Sequence, residues 1–263
     1  MRYSLIFSLI SLLFTPALAG ADQGHVQFSA ELFQSMPQQE PQQGRIYVGG
    51  DSVRTDMNVG GRSMIQIVDM KQQTAYMLDP DQKSYVERSG GTGEMMPGVG
   101  GTAQAENPCA GMQNITCKRI GMETVNGRPT EKWELENTRQ GQSGKMTVWL
   151  DQARRMPIRQ EMPDGSTMEM KLIGKETLDG RETEKWEMKA TRPGGQSSVS
   201  YQWFDPQLKI NIRQEMPGGF ISELRNIKVG TQPADLFIVP PGYKMMSIPE
   251  GDVPGRPGTG AYP

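Results

Sequence analysis

The chain has 263 residues, with 28 Lys and Arg against 30 Asp and Glu and a net charge of −2. The basic side chains are scattered, so there is no electrostatic case for a nucleic-acid partner. One histidine and two cysteines are a poor ligand pool for zinc, and they leave little for nucleophilic triads, which need a histidine held by a second group.

The chain opens with Met1-Arg2, an apolar run over residues 5–14, Pro16 and then Ala17-Leu18-Ala19. A basic start, a short apolar core and a small-residue exit are the parts of a secretory signal peptide. The run is about ten residues long, against the roughly 20 that a membrane-spanning helix needs. Residues 1–19 are therefore expected to be removed near Ala19, with Ala21 as the second exit and a retained anchor as the alternative. No cysteine follows the exit, so lipid attachment is not expected. The exported chain is expected to be soluble, periplasmic or secreted, and not membrane-spanning. The single histidine, His25, would stand near its new N-terminus, where a solvated role is expected rather than a general base or a ligand.

Downstream of His25, strand signals dominate. Residues 44–48, 51–57, 63–68 and 74–78 are short runs rich in Val, Ile, Thr, Tyr and Met, separated by Gly49-Gly50, Gly60-Gly61 and Asp79-Pro80-Asp81. Turn signals at that spacing predict an antiparallel meander, hence a mainly β fold. The one helix candidate, 30–36, fits a strand equally well. Residues 88–107 carry Gly90-Gly91, Gly93, Pro97-Gly98 and Gly100-Gly101 with few large apolar side chains. Such a stretch buries too little surface to offset its ordering entropy, and a flexible loop is expected. Residues 247–263 form a Pro/Gly tail, expected to be disordered for the same reason. Between them, Cys109 and Cys117 are the only cysteines. In an oxidising compartment a lone pair is expected to bond; a free thiol pair or a metal site is the alternative.

The strongest internal signal is a repeat. Gly121-Met122-Glu123-Thr124-Val125-Asn126-Gly127-Arg128 through Lys132-Trp133-Glu134 returns as Gly174-Lys175-Glu176-Thr177-Leu178-Asp179-Gly180-Arg181 through Lys185-Trp186-Glu187. After a one-residue slip, Trp149-Leu150-Asp151 matches Trp203-Phe204-Asp205, and Ile158-Arg159-Gln160-Glu161-Met162-Pro163 matches Ile212-Arg213-Gln214-Glu215-Met216-Pro217 without a mismatch. Two copies, 121–173 and 174–227, are too few for a solenoid. Each reads as about four strands, with Asn126-Gly127 and Asp179-Gly180 as two-residue hairpin turns. The copies are expected to extend one continuous curved sheet in a domain spanning 20–246.

Several stretches resemble the periplasmic LolA/LolB-like superfamily of lipoprotein carriers, through an uncharacterised secreted branch. Asp51-Ser52-Val53-Arg54-Thr55-Asp56-Met57, leading into Ile67-Val68-Asp69, Tyr76-Met77-Leu78-Asp79-Pro80 and Lys83-Ser84-Tyr85, resembles the opening strands of that superfamily. Trp149-Leu150-Asp151 with Met156-Pro157-Ile158-Arg159-Gln160-Glu161 resembles its middle hairpin, here present twice, and Asp235-Leu236-Phe237-Ile238-Val239-Pro240-Pro241-Gly242-Tyr243 its closing motif. The resemblance covers about residues 26–246. It implies an open antiparallel half-barrel with an apolar concave face and small helices as a lid.

Candidate chemistry is sparse. Glu131 with Glu134, and Glu184 with Glu187, flank repeated tryptophans; paired carboxylates serve glycosidases, but a solvated strand face is the plainer reading. The 19 methionines include Met95-Met96, Met168, Met170 and Met245-Met246. Thioethers select Cu(I); they also fill pliable apolar interiors and adaptable binding surfaces. Met168, Met170 and Leu172 alternate with Thr167, Glu169 and Lys171, which predicts one inward face. The tryptophans pair across the repeats, Trp133 with Trp186 and Trp149 with Trp203, as core packing or as the wall of an apolar groove.

The reading is a non-enzymatic periplasmic protein that needs no cofactor or metal. It holds a lipid, an acylated protein or a hydrophobic peptide against Trp133, Trp149, Trp186, Trp203, Met168 and Met170. The alternative is a structural or stress-regulatory module that pairs with another envelope protein, with copper binding through methionine behind both.

Overall fold

A computed structural model describes residues 26–89, 108–109, 114–137 and 144–246. The expected signal peptide, most of the Gly-rich loop and the Pro/Gly tail lie outside the described residues. Arg88 and Ser89 are the last residues of a strand rather than part of that loop.

Six strands form the first meander: β1 (Phe28–Ser35), β2 (Gln42–Gly49), β3 (Ser52–Val59), β4 (Arg62–Asp69), β5 (Thr74–Asp79) and β6 (Ser84–Ser89). Nine form the second: β7 (Ile115–Val125), β8 (Arg128–Asn137), β9 (Lys145–Asp151), β10 (Pro157–Glu161), β11 (Thr167–Leu178), β12 (Arg181–Thr191), β13 (Ser197–Asp205), β14 (Ile210–Glu215) and β15 (Ile221–Val229). A short 3₁₀ turn (Ala234–Phe237) and β16 (Lys244–Met245) close the chain.

Among the described residues all sixteen strands belong to one sheet. The two meanders meet at its middle, where β1 pairs with both β2 and β15, Phe28 lying opposite Val48 and Val229. The outer strands are β7 on one side and β16 on the other; β16 runs parallel to β6 over Ser84 and Tyr85. The 30–36 segment, open between helix and strand in the sequence, is β1. Among the described residues the only helical piece is the 3₁₀ turn, so the lid of small helices that the resemblance implied is not found there.

Local chemistry explains the turns. Asn126 and Gly127 have φ of 50° and 75°, and Asp179 and Gly180 have 47° and 74°, the two positive values that a type I′ hairpin demands. A second device recurs at strand ends. Asp69, Asp79, Asp151 and Asp205 each accept a hydrogen bond from a backbone N–H three residues on. The residue after that donor, Gln73, Lys83, Arg155 or Lys209, takes positive φ. The carboxylate satisfies the turn's orphan N–H, the role that favours Asp in such positions.

Three apolar clusters hold the sheet. The central one joins both meanders through Phe28, Ala30, Leu32, Ile46, Val48, Val53, Ile210, Ile212 and Leu224. A second gathers Val125, Trp149, Ile158, Met170 and Trp186. The third sets Cys109 against Trp133, Leu135, Val148 and Leu150, with Cys109 bonded to Cys117 as the cysteine count predicted.

Candidate binding face

Directly opposed residues in neighbouring strands share a face. One such row runs Trp186, Gln202, Gln214, Ser222, Gln34; a parallel one runs Leu224, Leu32, Gly44, Met57, Met64. On this face lies a recess of about 150 Å³, lined by residues of β1 to β4, of β14 and β15, and of the turn between those two strands. Strands β4 and β14 are separated by four others in the sheet. One hollow can touch both only if the sheet curls around it, so this face is concave.

The recess is apolar at Leu32, Ile46, Met57, Ile212, Phe220 and Leu224, and it carries polar side chains at Thr55, Gln66 and Gln214. Beside it, Met64 stands opposite Met57, and Met77 stands opposite Gln66. Both methionines are solvent-exposed, at 42% and 37%. The concave face therefore continues outward from the hollow as open thioether surface.

The opposite, convex face is a lattice of charge and aromatic rings. Trp149 Nε1 donates to Glu123 at 2.6 Å, and its ring lies between Lys132 Nζ at 4.8 Å and the Arg159 guanidinium at 4.9 Å. Trp203 repeats the arrangement with Glu176 at 2.7 Å, Lys185 at 4.7 Å and Arg213 at 5.2 Å. Thr130 and Thr183 donate to the main-chain carbonyls of the same two glutamates. At the hairpin ends Arg128 pairs with Asp151, and Arg181 with Asp205, and Arg128 reaches past its own strand face to cover Trp186. The matched sequences thus carry matched contacts. A cation over an indole face is attracted by the ring quadrupole, so each tryptophan binds two strands' cations at once. The indole N–H and Lys132 hold the Glu123 carboxyl below its ordinary range; Lys185 and the Trp203 N–H do the same for Glu176.

The six residues expected to line a groove are divided by this geometry. Trp133, Trp186, Met168 and Met170 share the concave face through the pairs Trp133–Val148, Val148–Gln160, Gln160–Met168, Met170–Met188 and Leu172–Trp186. Trp149 and Trp203 stand on the convex face, each opposite a lysine, Lys132 and Lys185. All four tryptophans are buried, Trp186 beneath the Arg128 guanidinium at 5.3 Å, and none of the six lines the recess.

The carboxylates do not form working pairs. Glu131 and Glu134 are three positions apart on β8, as are Glu184 and Glu187 on β12, so each pair straddles the sheet. Burial acts to raise the Glu131 carboxyl, but hydrogen bonds from Arg155 and Trp133 outweigh it and hold the group below its usual range. Glu184 is held by Arg154 and by Trp186 Nε1. Among the described residues no cluster of three His, Cys, Asp or Glu side chains could hold a metal ion, and no helix is long and apolar enough to cross a membrane.

The recess residues were not singled out in the sequence. Their signal was ordinary alternation: Leu32-x-Gln34, Thr55-x-Met57, Ile212-x-Gln214 and Ser222-x-Leu224 each place two residues on one face. Nothing local says that these four strands meet.

The protein is thus an open, curled, single-sheet β protein with an apolar hollow on its inner side. It belongs to the family described as a domain of unknown function, DUF4412, whose model matches residues 29–243. No curated protein matches it. Among solved structures it is similar to a LolA superfamily protein from Nitrosomonas europaea, at 12% identity over 82% of this chain and 90% of that one, with a TM-score of 0.39. A putative outer membrane lipoprotein-sorting domain from Vibrio parahaemolyticus matches at 14% identity over 82% and 91%, with a TM-score of 0.35. A DUF1329 family protein from Desulfovibrio piger matches at 12% over 82% and 90%, with a TM-score of 0.37.

Proposed function

We propose that this is a non-enzymatic binding protein of the periplasm that holds an acyl chain, carried by a lipid or an acylated protein, against its concave face. The observation that carries the reading is the recess between Leu32, Ile46, Met57, Ile212, Phe220 and Leu224, continued by the exposed Met64 and Met77. Burial there supplies roughly 0.8 kcal/mol per methylene, and thioether side chains adapt to chains of different shape. Trp133, Trp186, Met168 and Met170 form the floor of the same face further along the sheet.

Mass spectrometry of an organic extract of the exported, purified protein tests this. Stoichiometric acyl species are expected; an extract free of them, together with no uptake of added acyl chains, would overturn the reading. One observation favours the second reading, an envelope protein-interaction module. Among the described residues strand β7 is an outer strand bonded to β8 alone, and it exposes Ile120 and Met122 at 48% each. Such an edge can accept an added strand. A partner protein retained in place of acyl chains would select that reading.

A further inference from the structure

The polar part of the recess carries a selectivity. Thr55, Gln66, Gln34, Asn211, Gln214 and Ser222 supply hydroxyl and amide groups around the apolar lining. No Lys, Arg or His lines it among the described residues. The one carboxylate, Glu223, is bonded to Arg213 at 3.3 Å and to Arg225 at 2.8 Å, and strand alternation turns it to the convex face, away from Ser222 and Leu224.

Volume limits what enters. About 150 Å³ is the size of a cavity that takes one benzene-sized group. That suits the few heavy atoms of a head group with the first methylenes, not a whole acyl chain. The rest of the chain must lie outside, along Met57, Met64 and Met77. The head therefore meets neutral donors and acceptors and no cation. A carboxylate placed there gives up its hydration without an opposite charge, which is costly. An ester carbonyl needs only hydrogen-bond donors, and the Gln, Asn, Thr and Ser side chains have them.

From this we infer that the recess selects an uncharged acyl ester over the free fatty acid of the same chain length. The inference rests on the acyl-binding reading and specifies its ligand class. Its test is a competition assay on the exported protein at pH 7.5, below micelle-forming concentrations, comparing 1-palmitoylglycerol with palmitate. The ester is expected to bind at least about tenfold more tightly. Gln66→Lys, at a half-buried position, places a cation in the lining and should shift the ratio toward palmitate by about tenfold. Gln34→Lys is the second variant should the first fail to fold. Equal binding, or tighter palmitate binding to the unaltered protein, would overturn the inference and leave the acyl-binding reading standing. If neither compound binds, that reading falls, and the inference with it.

Discussion

Replacing Trp186 by alanine removes the largest fully buried side chain of the sheet. Its ring is 1% exposed and packs with Val125, Ile158 and Met170. Its Nε1 donates to Glu184 at 3.3 Å, and Arg128 covers the ring at 5.3 Å. Truncating a buried Trp costs about 3–5 kcal/mol, and the lost cation–ring contact adds about 0.5–2 kcal/mol. The upper part of the combined range applies if the hollow stays open. A domain has roughly 5–15 kcal/mol in total, so the variant should lose a large share of its stability. With a urea slope of about 2–3 kcal/mol/M, the midpoint should fall by about 1–3.5 M. The β1–β15 pairing joins the two meanders into one sheet, so unfolding should stay a single transition. Tryptophan fluorescence and circular dichroism should then give superimposable curves. Two separated transitions, with one repeat melting alone, would refute the shared core; a midpoint shift below about 0.3 M would refute the packing argument.

Gly49→Val should dislodge the closing segment, because a Cβ on Gly49 would come within 2.3 Å of the Phe237 ring; limited proteolysis should cut near residues 234–238 faster than in the parent, and an unchanged pattern would count against that docking. Acidification should destabilise the protein through Glu123 and Glu176, whose folded carboxyls titrate below their ordinary value of 4.5. Their contribution is complete above the unfolded value and is lost as pH falls through the folded one. Glu123→Gln combined with Glu176→Gln should flatten the loss between pH 6 and 3 in thermal melts; an unaltered slope would contradict it. The exported protein should show no free thiol until reduced, and Cys117→Ala should cost roughly 2–3 kcal/mol for a loop closed over so few residues; two thiols in fresh, unreduced protein would contradict the Cys109–Cys117 bond.

The all-β character was legible because turn chemistry is local. Asn126-Gly127 and Asp179-Gly180 announce positive φ, and strand ends can be found from the Asp69, Asp79, Asp151 and Asp205 turns once that device is known. The disulfide followed from there being only two cysteines. The faces of the tryptophans were not legible. Trp133 and Trp149 lie on opposite sides because Lys132, not Trp133, is the cross-strand partner of Trp149, and one residue of register reverses every side chain. The register shifts between Arg119 and Gly121 and between Leu172 and Gly174 break the alternation count again. The recess was hidden for a different reason. It needs β1 to sit between β2 and β15, a pairing of residues about 200 positions apart in the chain, and no local pattern encodes that.

Where an acyl chain lies on the sheet is the most direct test. A palmitoyl ester carrying a photoreactive diazirine should be equilibrated with the exported protein, irradiated, and its adducts mapped by peptide mass spectrometry. Labelling should concentrate on the concave strands around Met57, Met64, Gln66 and Phe220. It should spare Lys132, Trp149, Arg159, Lys185, Trp203 and Arg213 on the convex face. Adducts centred on the convex lattice, or spread evenly over both faces, would contradict the account.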